Sequence, residues 1–159
     1  MEEKAQTPPC KKIALQLLLP LFPVEATLIN NLVWLVQKEL VKIYGYVIMP
    51  NRIHLMWEQL SMNGKEFPKN SFEKFTAKSL VNNMKATNDT TLKNYAVTAT
   101  DRQYNIWLKD PLAIRVFSRE MAVQKLDYMH INPMQPHWLL CTNPADYVFI
   151  SYILRTKCG

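Results

Sequence analysis

The sequence predicts an α+β domain built on a four-stranded antiparallel sheet. Three observations lead there. Two β-dense arms meet at a Pro-Asn pair in "VKIYGYVIMPNRIHLMW" (Val41–Trp57). Helical periodicity lies on either side of those arms. The chain then offers a further strand and a further helix, each bounded by proline or a capping residue.

Residues 1–12 read as a loose N-terminus. "KKIALQLLLPLFPVEA" (Lys11–Ala26) has a basic lead and an apolar run, the outline of a secretory leader. However, Glu2 and Glu3 precede it, Pro20 and Pro23 interrupt it, and it is too short to span a bilayer. Residues 13–19 are therefore expected as a buried first strand. From Val24 to Lys38, Leu28, Leu32, Leu35 and Val36 recur at helical spacing, and Pro23 suits the helix start. Val41–Pro50 is rich in β-formers, and Pro50, with no N–H for a ladder, ends that strand. Arg52–Trp57 returns as its antiparallel partner, because so short a connection allows nothing else.

Residues 61–70 form a polar loop. Asn70 followed by Glu73 resembles a capping box. The helix after it, "SFEKFTAKSLVNNMKA", turns Phe72, Phe75, Leu80 and Met84 toward a core and Lys74, Lys78 and Lys85 away from it. Residues 87–100 are a Thr- and Asn-rich connection. "RQYNIWL" (Arg102–Leu108) is expected as the fourth strand, with Asp110-Pro111 as N-cap and first residue of a helix. A longer helix follows over 118–131 and ends at Asn132, because Pro133 follows. Gln135–Gly159 is expected to wrap the domain, its last residues, 153–159, as a tail. The order β-α-β-β-α-β, with helices added after it, is the split βαβ or ferredoxin-like arrangement. One such domain spans 13–152.

The totals agree with a single domain: 159 residues, 48% of them hydrophobic, are enough for one core. The 19 Lys and Arg exceed the 13 Asp and Glu, leaving +6, a balance that favours a polyanionic partner such as nucleic acid. Cys10, Cys141 and Cys158 are odd in number, widely spaced and without a CxxC. They make neither a disulfide framework nor a zinc site, so a cytoplasmic protein is expected.

The hairpin supports two readings. "KIYGYVIM" (Lys42–Met49) follows the third-strand signature of RNA-recognition modules except at Ile43, where glycine is required. Its aromatics would then stack on bases. Against this, "IALQLL" lacks the aromatics of the partner signature, and a strand rather than a helix follows Pro50. The second reading centres on "MPNRIH". "YGYVIMPNRIHLMW" resembles the signature hairpin of REP-associated tyrosine transposases, single-tyrosine enzymes of the HUH type. Their pattern is Met-Pro-Asn-His-hydrophobic-His. "FSREMAVQKLDYMHINP" (Phe117–Pro133) is similar to the family's KLDYIHxNP segment, and "WLLCTNPADYVFISY" (Trp138–Tyr152) to its tail with PEDY. The three blocks stand in the family's order and cover roughly residues 40 to 152.

The resemblance implies cleavage and rejoining of single-stranded or hairpin DNA through a 5′-phosphotyrosine, assisted by a divalent metal, Mg²⁺ or Mn²⁺. It assigns Tyr128 as nucleophile, His54 as the second histidine of the pair, and Asn132 as a candidate third metal ligand. On the helix, Tyr128 lies off the apolar face of Ala122, Leu126 and Met129. Asn132 is one turn on and also suits a helix cap. Arg52 stands where the first ligand histidine belongs. A guanidinium is always charged and has no lone pair to give a metal. Impaired catalysis is expected, or else an Arg52 that contacts the scissile phosphate and partly replaces the metal's charge; a domesticated DNA-binding module without catalysis is the alternative. Lys74, Lys78, Lys85, Arg102, Arg119 and Lys125 are the candidate phosphate contacts, and Tyr44, Tyr46, Tyr104 and Trp107 the candidate stacking groups. His130 is assigned to packing at the helix end. His137 and Cys141 complete no metal site. The family includes dimers and monomers, so either state is compatible, and no membrane association is expected.

Overall fold

The computed structural model describes residues 11–16, 25–108 and 112–150. Its elements are β1 (Lys11–Gln16), α1 (Glu25–Gln37), β2 (Val41–Met49), β3 (Arg52–Gln59), α2 (Pro68–Ala86), β4 (Leu112–Arg115) and α3 (Arg119–Ile131). The strands lie side by side in the order β2-β3-β1-β4, and every neighbouring pair is antiparallel. The α+β expectation therefore holds. No helix among the described residues is long and apolar enough to cross a membrane.

The β2–β3 hairpin pairs Met49 with Arg52 around Pro50-Asn51, as the sequence requires, with a register shift between Ile43 and Gly45. Side chains alternate across a strand, so β3 divides its residues between two layers. Ile53, Leu55 and Trp57 join Leu28, Leu32 and Leu35 of α1 and Phe72 and Leu80 of α2 in one core. Met56 joins Val47, Met49, Met129 of α3 and Ile150 in a second core. Arg52 and His54 alternate with Ile53 and so belong to the second side.

Several boundaries differ from the sequence reading. β1 begins at Lys11, within the stretch read as loose, and residues 17–24 lie outside the described residues, as do the ends, 1–10 and 151–159. α2 starts at Pro68 rather than after Asn70. Proline fits a first helical position, where its missing N–H costs nothing, and the N-cap Phe67 contributes no side-chain bond. Phe75 is exposed, not core.

The largest correction concerns the fourth strand. Among the described residues, Arg102–Leu108 pairs with no strand of the sheet; Ala96 and Tyr104 bridge each other instead. Ile106 and Trp107 are buried in the α1–α2 core. The fourth strand is Leu112–Arg115, paired with β1. A helix beginning at Asp110-Pro111 is thereby replaced by a strand from Leu112, although residues 109–111 themselves are not described. α3 begins as expected, with Ser118 accepting from the Met121 N–H at its N-cap. After α3 the chain runs back over the second core and reaches β2. There the Ile48 N–H donates to the Phe149 carbonyl at 2.9 Å, and the Tyr147 hydroxyl donates to the Ile48 carbonyl at 2.6 Å.

Candidate functional site

His54 and Asn132 are 78 residues apart in the chain, and the fold brings them into contact. His54 Nε2 and Asn132 Nδ2 are 3.0 Å apart, with both residues buried at 6% and 5% exposure. The contact has two local causes. Strand alternation turns His54 toward the layer of α3. α3 ends at Ile131 before Pro133, as expected; Asn132, its C-cap, keeps helical angles (φ −53°, ψ −43°) and leads into a 3₁₀ turn, Asn132–Met134. The Asn132 backbone N–H donates to the Tyr128 and Met129 carbonyls, while its side chain points to the sheet. Asn132 thus occupies the cap position and also makes a long-range side-chain contact. Tyr128 lies one turn earlier and is 53% exposed, whereas Met129 and His130 are buried. Met121, Ala122 and Leu126 are partly buried against the second core, the apolar face from which Tyr128 turns away.

Arg52 shares the face of His54 but meets different neighbours. Its Nε donates to Asn51 Oδ1 at 3.3 Å, and its guanidinium lies 5.2 Å from the centroid of the Trp138 ring. A divalent metal is poorly matched by these groups. Mg²⁺ and Mn²⁺ are held by oxygen-rich, largely anionic shells. Here an imidazole faces an amide, neither of them an anionic oxygen donor, and a permanent cation stands two residues away on the same strand face. Among the described residues no group of three or more His, Cys, Asp or Glu is placed to hold a metal.

The basic candidates divide between the two layers. Lys74, Lys78 and Lys85 of α2 and Arg102 line one groove of about 970 Å³ between α2 and residues 101–108. Trp107 builds the groove wall: its indole N–H donates to the Glu73 carbonyl and Thr76 Oγ1, each at 3.1 Å, pinning the segment to α2. Lys85 Nζ lies 5.3 Å from the centroid of the Tyr104 ring, and Lys74 pairs with Glu66 at 3.1 Å. The Lys74 ammonium, then Ser71, hold the Glu66 carboxyl below its ordinary range. Arg119 and Lys125 sit on α3, across the sheet from that groove.

The stacking candidates fare unevenly. Trp107 is buried and structural. Tyr46 packs against the α1–α2 core, and its burial pushes the phenol up. It is therefore not on an open sheet face, as RNA recognition by this hairpin requires. Tyr44 is exposed and donates to Glu58 Oε2 at 2.7 Å. Tyr104 remains in the groove. Sequence reasoning missed the role of Trp138, because nothing in its spacing ties it to Arg52. It also missed a cleft between α1 and α2 whose one sequence signal is Trp34, an aromatic beside the polar pair Asn30-Asn31.

No protein-family model matches the chain, and no curated protein does. Among solved structures, the chain is similar to a REP-associated tyrosine transposase described as bound to a REP hairpin. The TM-score is 0.66 at 15% identity, over 95% of this chain and 81% of that one. At that identity the likeness is one of fold.

Proposed function

We propose that this chain is a transposase-like protein that binds single-stranded or hairpin DNA, with strand cleavage at Tyr128 impaired by Arg52. The strand order β2-β3-β1-β4 is read as the ferredoxin-like arrangement, with α3 added to carry the tyrosine. The observation that carries the proposal is the His54–Asn132 contact, with Tyr128 one turn before Asn132. Two separate sequence blocks, one with His54 and the other with Tyr128 and Asn132, thus meet on one side of a sheet in a chain whose fold is similar to that of a tyrosine transposase.

In the proposed reaction the Tyr128 oxygen attacks the scissile phosphorus. A tyrosine O–P bond forms as the P–O3′ bond breaks, the phenol loses its proton, and the departing 3′ oxygen gains one. The reverse step, by a 3′ hydroxyl, rejoins the strand. His54 and Asn132 would be the metal ligands of a competent enzyme. With Arg52 in place of a third donor, metal affinity is expected to be weak or lost, and no step is assigned to a metal here. The Arg52 guanidinium instead offers charge-assisted hydrogen bonds to a phosphate.

The test is a hairpin DNA labelled on the 3′ side of the cleavage site, incubated with Mg²⁺ or Mn²⁺ and resolved under denaturing conditions. Slow formation of a covalent protein–DNA species is expected, abolished by Tyr128→Phe and increased by Arg52→His. Efficient nicking by the natural sequence would reject the impaired reading. DNA binding without any adduct, even in Arg52→His, would favour the second reading, a domesticated DNA-binding module. The presence of Arg52 is the observation on that reading's side.

A further inference from the structure

The cleft between α1 and α2 is separate from the Tyr128 site and has the chemistry of a nucleobase pocket. It encloses about 560 Å³, within the range of small-ligand sites. Trp34 of α1 and Phe75 of α2 line it, and both are substantially exposed for such large rings. Asn30 and Asn31 of α1 add amides to the lining.

Lys74 and Lys78 line this cleft and also the larger basic groove on the other flank of α2. They form a shared ridge between an apolar cleft and a cationic channel. Glu66 lines both as well, but its carboxylate is engaged by Lys74 at 3.1 Å and Ser71 at 2.9 Å. We infer that the α1–α2 cleft receives one unpaired nucleobase of a strand whose phosphates follow the lysine ridge. The base stacks on Trp34 or Phe75. Stacked neighbours in a duplex cover the ring faces, so the pocket selects an unpaired base. An uncharged aliphatic ligand would make no use of the lysines.

This inference rests on the DNA-binding reading, and one experiment separates their failures. Affinity is measured by fluorescence anisotropy for hairpin DNA with unpaired flanks, and for a series in which each unpaired position is made abasic. The proteins are the natural chain and the Trp34→Ala and Phe75→Ala variants, whose exposed rings are not core. Each variant should lose about tenfold in affinity for the intact DNA. On DNA abasic at one particular position, the loss should shrink to less than about twofold. Unchanged affinity for intact DNA, or an equal loss on every abasic DNA, would overturn the pocket while leaving DNA binding in place. Failure of the natural chain to bind any of these DNAs would overturn both.

Discussion

Arg52 and His54 differ by two positions on one strand face, and their surroundings give them different work. The imidazole is drawn inward to Asn132, while the guanidinium stacks on Trp138 and reaches Asn51. The local pattern made His54 legible, since strand alternation fixes its side. The partner, 78 residues on, was reachable only through resemblance, because no periodicity links β3 to a helix end. Tyr147 shows the same limit: its tail position says nothing of the bond to Ile48, yet burial, then the charges of Glu25 and Cys141, push its phenol to about 12 from an ordinary 10.0. The neutral phenol is thus favoured in the folded state. That contribution is intact below pH 10 and is lost as pH rises from about 10 to about 12, because the unfolded chain ionises first. Melting temperatures of the natural chain and Tyr147→Phe should differ by a constant amount up to pH 10. Above it, the natural chain should lose its advantage; a difference that grows instead would refute the assignment.

At the scale of elements, what the sequence disclosed followed the strength of its periodicity. α1, the β2–β3 hairpin and α3 were placed within a residue or two, because heptad-like spacing, a Pro-Asn turn and a Ser cap are local signals. The fourth strand was misplaced for a physical reason. Arg102–Leu108 carries strand-like residues, but Ile106 and Trp107 spend their apolar surface on the helix layer. "LAIR" is short and lies at the edge of the sheet, where one partner strand suffices. α3 depends on its cap more than a longer helix would. Ser118→Ala removes the bond to the Met121 N–H and should cost about 1 kcal/mol in urea denaturation. Since α3 carries both Tyr128 and Asn132, covalent-adduct formation should fall further than DNA binding does.

For the whole molecule, the sheet separates two sets of candidate residues. Lys74, Lys78, Lys85 and Arg102 share a groove on the α2 side, and Tyr128, His54 and Asn132 lie on the α3 side. If phosphates follow the groove, Lys78→Ala and Arg102→Ala should each reduce the slope of log affinity against log salt by about 0.7 to 0.9. Arg119→Ala should leave affinity for the hairpin stem less affected, and a salt titration of binding reads both outcomes. Composition already suggested a polyanion, yet not this division, since a net charge carries no address on the fold.

The last described residues have a consequence of their own. β2 is outermost in the sheet, and the stretch from Tyr147 to Ile150 lies along its outer row of backbone groups. A strand left open in that position is a template on which another chain can assemble. Proteolytic loss of that stretch would therefore do more than shorten the protein. It would also bare the backbone of Val47 and Ile48 on the edge of the sheet, where another strand could pair.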